Sequence, residues 1–374
     1  MKDIIPHIWP TKKLGEVCDI YQPKTITSEQ IKKEGPYKVF GANGIIGYYD
    51  KYNHEDSEVL VTCRGATCGT VNLSEPKSWV TGNAMVVHPK VNDLAKIFLY
   101  YVLKNSDLRC TVTGAAQPQI TRISLSQFRI PFPSLKIQHQ IVERLDAIKK
   151  TQKLNNKQVT LADELFRSLL HKELDSRGKT WELKKIGDIA GVTSSKRIFQ
   201  SEYITDGIPF YRTKEIVELS QNKPISLELF ISEERFDEIN KKFGVPQKSD
   251  ILISAVGTIG VSWIVPDRRK FYFKDGNLLW IKNFNDIDSY YLKLVLDNIF
   301  KSISELAAGA AYNALTIIKL KKIKISVPPL KTQREIVQKL QAVQDYKKTL
   351  LEQKQKLQEL FDSCLNKMMN GEYV

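Results

Sequence analysis

The sequence predicts an α+β fold: two repeated globular α/β heads separated by two long antiparallel helices, a coiled-coil spacer with approximate two-fold symmetry. Three observations predict it. Matched segments recur in the same order about half a chain apart; each copy opens on a Gly-, Asn-, Pro- and aromatic-rich stretch with short apolar runs; and each closes on a long stretch without Gly or Pro. The boundaries read as a first head over 1–134, a helix over 135–177, a second head over 178–329 and a second helix over 330–374.

The repeat carries most of this weight. Trp9-Pro-Thr-Lys-Lys-Leu-Gly-Glu-Val17 matches Trp181-Glu-Leu-Lys-Lys-Ile-Gly-Asp-Ile189, and Val59-Leu-Val-Thr-Cys-Arg-Gly-Ala-Thr-Cys-Gly69 resembles Ile251-Leu-Ile-Ser-Ala-Val-Gly-Thr-Ile-Gly260. Gly82-Asn83 then falls on Gly276-Asn277, Gly114-Ala-Ala116 on Gly309-Ala-Ala311, and Thr121 on Thr316. Pro133-Ser-Leu-Lys-Ile-Gln138 falls on Pro328-Pro-Leu-Lys-Thr-Gln333. The offset only grows, from 172 to 195, and most of the growth lies between residues 17 and 59 of the first copy, opposite a stretch that includes Glu228 to Val245. Two copies mean duplication; a solenoid needs at least three.

Within each head, runs such as Glu58–Val61 and Asp250–Ser254 read as strands, with an occasional helix such as Asp93–Lys104. The closing stretches read as helices. Ile336, Val343, Leu350, Leu357 and Cys364 recur every seven residues, accompanied by Leu340, Leu360, Phe361 and Met368. The first copy offers Ile141, Leu145, Ile148, Val159, Ala162, Leu165, Phe166 and Leu169. Prolines precede both helices (Pro131, Pro133, Pro328, Pro329), and Gly178 and Gly371 follow them. A helix of about 40 residues runs about 60 Å, too long for a mere linker. Two such helices, each with one apolar stripe, bury it most simply against each other. Alternation of head and helix along the chain makes the pair antiparallel and brings both chain ends to one head. Gln152 and Asn155 sit mid-seam on the first helix, where the second offers Lys347 and Leu350.

At 374 residues the chain can form two domains of ordinary size, and 42% hydrophobic with 26% charged residues is normal for a globular protein. No apolar run approaches the ~20 residues of a membrane span, and the start MKDIIPHIWP lacks the features of a signal peptide. The five cysteines are irregularly spaced, which argues against a disulfide framework or zinc site and for a reducing cytoplasm. His7, His54, His88, His139 and His171 show no pair at helical metal spacing, and His54-Glu55-Asp56 reads as a solvated loop; no metal site is expected. A net charge of +14 favours a polyanionic partner, usually nucleic acid. Charge alone leaves a second class open: a helical scaffold whose heads bind protein.

The order head, long helix, head, long helix resembles the specificity (S) subunits of type I restriction–modification systems. The residues carrying the resemblance are Gly35-Pro-Tyr-Lys-Val-Phe-Gly-Ala-Asn-Gly-Ile45 with Gly47-Tyr-Tyr49, then Arg64-Gly-Ala-Thr-Cys-Gly69, Ile208-Pro-Phe-Tyr-Arg-Thr213 and Gly257-Thr-Ile-Gly260. The paired helix lead-ins Ile130-Pro-Phe-Pro-Ser-Leu135…Gln138…Gln140-Ile-Val142 and Ile325-Ser-Val-Pro-Pro-Leu330…Gln333…Ile336-Val337 complete it. The resemblance spans essentially the whole chain and implies two target-recognition domains, each reading one half of a split site in double-stranded DNA. It implies helices that set the gap and dock two modification (methyltransferase) subunits, with restriction subunits joining where present. S-adenosylmethionine would be held by those partners, and the chain would have no cofactor or active site of its own. The residues agree: there is no Asn-Pro-Pro-Tyr-like methylation motif, no Gly-rich cofactor loop, no phosphate-binding Gly-Lys-Ser/Thr loop and no nuclease carboxylate cluster.

Reading DNA divides the expected residues into two sets, because cations on phosphates supply affinity while side chains at base edges supply choice. Expected phosphate contacts are Lys12, Lys13, Lys184, Lys185, Lys241, Lys242, Arg268, Arg269 and the strand-like run Lys319–Lys324. Base readers should be polar or cationic residues on loops. In the first head these are Asn43, Arg64, Thr67, Gln117 and Gln119; in the second, Arg212, Thr213, Lys214, Thr258, Tyr312 and Asn313. Gly65 and Gly257 serve tight turns or a close backbone approach. Asn83 and Asn277 read as turn caps first.

Overall fold

A computed structural model describes residues 9–41, 43–114, 118–306 and 314–372, with the side chains of 304–306 left aside. The chain divides into two compact units, residues 1–159 with 350–374 and residues 160–349. Each unit therefore holds one head and a part of both long helices.

In the first unit, alternating and fully apolar runs form strands β1 (Thr11–Lys13), β2 (Cys18–Tyr21), β3 (Tyr37–Gly41), β4 (Gly44–Tyr49), β5 (Val59–Thr62), β6 (Val71–Leu73), β7 (Trp79–Val80) and β8 (Ala84–Pro89). Helix α1 (Lys96–Asn105) and strand β9 (Arg129–Pro131) follow, and then α2 (Leu135–Leu174). The main sheet is antiparallel in the order β2-β8-β5-β6; a smaller sheet runs β4-β3-β7, and β1 pairs with β9. Val59, Leu60 and Val61 are all buried, as befits a strand covered on both faces. One face packs with Phe98, Leu99 and Val102 of α1 and with Ile141 and Leu145 of α2. Phe40, Leu60, Val80, Ala84 and Val86 close the other side toward the small sheet.

The second unit repeats this topology. Strands β10 (Glu182–Lys185), β11 (Gly191–Thr193) and β12 (Ile208–Tyr211) are followed by α3 (Thr213–Ser220), β13 (Phe230–Ile231) and α4 (Glu233–Phe243). Then come β14 (Ile251–Ser254), β15 (Ser262–Ile264), β16 (Tyr272–Phe273), β17 (Leu278–Lys282), α5 (Ser289–Leu306), α6 (Ile317–Lys322), β18 (Lys324–Val327) and α7 (Leu330–Met369). The sheet orders β11-β17-β14-β15, β13-β12-β16 and β10-β18 reproduce those of the first unit strand for strand. The extra length of the second copy includes α3, between β12 and β13 where the first copy turns directly from β3 into β4, and α4, which follows β13.

The long helices pair antiparallel in both units. In the first, Gln152 Nε2 donates to the Leu357 carbonyl at 3.2 Å and Asn155 Nδ2 to Gln353 Oε1 at 3.4 Å. In the second, Lys347 Nζ meets Asp163 at 2.6 Å and Lys339 Nζ meets Glu173 at 3.0 Å. Both ends of the chain belong to one unit, where Trp9 Nε1 donates to the Met368 carbonyl at 2.9 Å. The stripe is narrower than the periodicity predicts: Leu165 and Leu360, expected in the seam, are 49% and 48% exposed. Two helices cover one face of each other, so residues at its edge stay in solvent. Asn155 is buried, and its Oδ1 has no hydrogen-bond partner among the described residues. Asn155→Leu is therefore expected to stabilise the first unit by about 1 kcal/mol, since it removes an unpaired buried acceptor while Gln353 stays solvated. Urea denaturation checks this; a loss of stability would contradict it.

Each head is fastened to its helix by one buried glutamine. Gln138 donates to the carbonyls of Asp93 (2.8 Å) and Pro133 (2.9 Å) and accepts from the Ala95 amide at 2.8 Å. Gln333 does the same with Asp286 (3.0 Å), Pro328 (2.8 Å) and the Asp288 amide (2.7 Å). Both side chains are fully buried. This explains why glutamine recurs at one place in the two helix lead-ins.

The run Lys319–Lys324 is a correction. It is not one strand: Thr316 accepts from the Lys319 amide at 3.2 Å and starts helix α6, and only Lys324 enters β18. Alternation of Lys with Ile and Leu suits a short amphipathic helix as well as a strand, and the cap decides.

Candidate nucleic-acid interface

Strand register sets which loops share an end of each head. In the first unit, Phe40 pairs with Val80, Thr62 with Ala84 and Tyr21 with Val86. The loops leaving β2, β3, β5 and β7 therefore emerge together. They are stitched by Gln22, whose Nε2 donates to the Gly82 carbonyl (3.0 Å) and Cys63 Sγ (3.1 Å), and by Thr25, whose hydroxyl accepts from the Gly82 amide at 3.2 Å. Asn43, at the β3–β4 turn, lies at this end, as do Arg64 and Thr67, and all three are exposed. Gln119 joins them, because Arg64 and Gln119 form a β-bridge and the Ile120 amide donates to the Cys63 carbonyl at 3.0 Å. Four expected readers of the first head thus converge. Gln117 lies outside the described residues.

The second head gathers its loops the same way. The Lys274 amide donates to the Tyr211 carbonyl (2.9 Å), the Ala255 amide to the Asn277 carbonyl (2.8 Å) and the Leu315 amide to the Ala255 carbonyl (2.9 Å). Arg212, Thr213, Lys214 and Thr258 meet at that end; Tyr312 and Asn313 lie outside the described residues. The four do not have equal reach. The Thr213 hydroxyl is buried at the start of α3 without a partner among the described residues, so it faces the fold and not a base edge. Arg212 is held by buried Glu215 at 2.7 Å and by Glu228 at 2.7 Å, and Lys214 by Glu228 at 3.0 Å. Lys214 and Thr258 are exposed.

Gly65 and Gly257 both adopt positive φ (+85° and +77°) with open space where a side chain would stand. Both readings of these turns fit: a left-handed backbone that favours glycine, and a surface that a ligand can approach closely. Asn83 and Asn277 act through their main chains, accepting from Cys63 Sγ (3.3 Å) and from the Ala255 amide. His54 is part-buried and packed, hydrogen-bonded to the Tyr21 hydroxyl at 3.0 Å and Asn53 Oδ1 at 2.7 Å. Burial pushes its pKa down, the opposite of a freely solvated loop histidine.

Most of the expected phosphate contacts lie elsewhere. Lys12 and Lys13 are on β1 and Lys184 and Lys185 on β10, strands paired with β9 and β18, which lead into the long helices. Register puts the Pro266–Lys270 loop, with Arg268 and Arg269, at the beginning of β14, since Ile264 pairs with Ile251. Lys241 and Lys242 close α4, just before that same strand. Register sets Lys12, Lys13, Lys184, Lys185, Arg268 and Arg269 at the opposite end from the reader loops, whereas α4 ends beside Lys196, whose Nζ lies 4.6 Å from the Phe243 ring. Several are neutralised: Lys184 by Glu182 at 2.7 Å, Lys242 by Glu238 at 2.8 Å and Arg269 by Asp267 at 2.6 Å. Besides Arg64, Arg212 and Lys214, further cations at the reader end were missed by motif reading. Among them are Lys24, exposed and without an ion pair among the described residues, Lys274, and Arg197, which meets Asp275 at 3.0 Å. Their signal is positional: Lys24 and Arg197 follow matching strands, β2 and β11.

Among the described residues no group of three or more His, Cys, Asp and Glu could hold a metal ion. No helix among them is long and apolar enough to cross a membrane.

Comparison with known proteins agrees with this geometry. The model of the type I restriction modification DNA specificity domain matches residues 6–161 and again 178–360, one match per repeat. The chain is 32% identical over 347 residues to a type I restriction enzyme specificity subunit of Haemophilus influenzae, covering 87% of this chain and 85% of that one. It is 24% identical over 415 residues to the MjaX specificity subunit of Methanocaldococcus jannaschii, covering 98% and 93%. Its fold is like that of the type I restriction-modification S subunit from M. genitalium, with a TM-score of 0.60 at 19% identity over 99% of this chain and 98% of that one. It is also like the HsdS subunit from Thermoanaerobacter tengcongensis, with a TM-score of 0.58 at 17% identity over 98% of each chain. Two family matches on two repeats of one topology, each gathering exposed polar loops at a single end, place the chain in the family of type I restriction–modification DNA specificity subunits.

Proposed function

We propose that each head reads one half of a bipartite duplex target and that the chain does no chemistry itself. The observation that carries this reading is that the two repeats keep one topology while their reader ends differ: a turn with Asn43 and an Arg64 that makes no ion pair among the described residues in the first, a helix start with ion-paired Arg212 and Lys214 in the second. A shared scaffold with divergent loops is what two half-sites of different sequence require. The long helices are the docking surface for two modification subunits, joined by restriction subunits where the system has them. Leu154, Leu161, Leu351 and Tyr346 are 46–56% exposed on these helices, apolar side chains that a partner would cover. S-adenosylmethionine is bound by the modification subunits, and the complex works in the cytoplasm, where its DNA is.

The isolated chain, incubated with S-adenosylmethionine, Mg2+ and target DNA, is expected to transfer no methyl group and cut no strand. Adding the modification subunits is expected to restore methylation at the bipartite site. Methylation or cleavage by the chain alone would overturn the proposal.

A further inference from the structure

The second head carries an internal anion among its reader cations. Glu228 sits on the loop before β13, and the Phe210 amide donates to the neighbouring Leu229 carbonyl at 2.9 Å, which fixes that loop beside the end of β12. From there Glu228 Oε2 accepts from Arg212 Nη2 at 2.7 Å and Oε1 from Lys214 Nζ at 3.0 Å. Glu228 and Lys214 are about half exposed, at 48% and 52%, while Glu215 beneath them is 2% exposed. Arg212 Nη2 also donates to Glu215 Oε1 at 2.7 Å. Both hydrogens of Nη2 are therefore committed, and the two-nitrogen edge that meets guanine O6 and N7 is not available while Glu228 is in place. The first head has no such anion: Arg64 and Lys24 make no ion pair among the described residues.

We propose that Glu228 is a positioning residue for sequence choice: an internal competitor that occupies Arg212 and Lys214 and yields them only to a base edge or phosphate that fits better. This rests on the DNA-reading function proposed above. The two carboxylates play different parts. Glu215 is desolvated, which pushes its pKa up, yet its bonds from Arg212 pull it down and win, so it is the permanent anchor of the guanidinium. Glu228 is solvated and drawn down first by Arg212 and then by Lys214, so it stays an anion through the neutral range and can leave into water at small cost. Random duplex offers phosphates and ill-matched base edges, and against these the single negative charge of the competitor occupies two cations and offsets one of them. A correct half-site offers an acceptor pair, and release of Glu228 then frees the Nη1–Nη2 edge for a bidentate contact. The device lowers binding to wrong sequences more than binding to right ones.

The test uses the chain assembled with its modification subunits, titrated against the selected target and an unrelated duplex over a series of salt concentrations. Glu228→Gln keeps size and polarity and leaves Arg212 anchored on Glu215. It is expected to raise affinity for the unrelated duplex about fivefold at low salt and to steepen log K against log salt by about one to two. The target-to-unrelated ratio should fall by about the same factor. Lys214→Gln added to Glu228→Gln should return about half of the extra slope, a readout that loss of a merely structural contact would not produce. An unchanged slope, or equal weakening on both duplexes with a lowered Tm, would overturn the proposal. So would lost discrimination at a single base pair with no change in slope, since that outcome makes Glu228 a direct reader. A wild-type complex that fails to distinguish the two duplexes would instead sink the underlying DNA-reading function.

Discussion

Gln138→Leu is expected to destabilise the first unit by about 3 kcal/mol or more, and Gln333→Leu the second by a similar amount. Leucine keeps the volume, so the loss isolates hydrogen bonding. At Gln138 it orphans the Ala95 amide and the carbonyls of Asp93 and Pro133. Each buried group left without a partner costs about 1–3 kcal/mol. For units of this size the melting temperature should fall by about 6–12 °C. The neighbouring His139 is exposed, and His139→Leu should change stability by less than about 0.5 kcal/mol. Calorimetry on the three variants checks the prediction; a Gln138→Leu protein within about 1 kcal/mol of wild type would contradict it. The glutamine does more than stabilise. It ties the Asp93–Ala95 turn before α1 to the first turn of α2, so the head takes its orientation from the helix. Gln333 does the same through Asp286 and Asp288.

Lengthening both long helices by four residues, one insertion in α2 and one in α7, is expected to cut affinity for the original target about a hundredfold or more. Two linked binding events become one when geometry forbids simultaneous engagement. Four helical residues add about 6 Å, between one and two base-pair steps. High affinity should return on duplexes whose gap is longer by that amount, with both half-site sequences unchanged. Competition binding against duplexes of graded gap length reads this out. An altered half-site preference with the gap intact would reject the ruler role of the helices.

The architecture was legible because duplication writes the same constraints twice. Thr121 and Thr316, Gln138 and Gln333 recur because each pair meets one local need, a cap or a clasp. Thr121 accepts from the Ser124 amide at 3.0 Å and Thr316 from the Lys319 amide at 3.2 Å, the same cap in both copies. The long helices were legible from periodicity, but the width of their seam was not. Leu165 and Leu360 fit the repeat and still face water, since a two-helix contact has edges that a sequence does not mark.

The reader end was half legible. Asn43, the pair Arg64 and Thr67, and Gln119 lie on separate segments that glycines and turns announce, and strand order brings them together. The lysine pairs were not placeable, because a basic pair looks alike at either end of a strand; Lys12-Lys13 and Lys184-Lys185 turned out to stand by the helices. Nor could the sequence reveal that Arg212 is occupied. Its partner Glu228 lies sixteen residues away, on a loop whose position depends on the pairing of β12 with β13.

The central idea is that two related folds in one chain each recognise their own short stretch of duplex. Selection from a pool of randomised duplexes by the complex, sequenced after several rounds, tests it most directly. The predicted enrichment is two different short motifs separated by a gap of constant length and arbitrary sequence. Enrichment of a single unbroken motif, or of none, would contradict it.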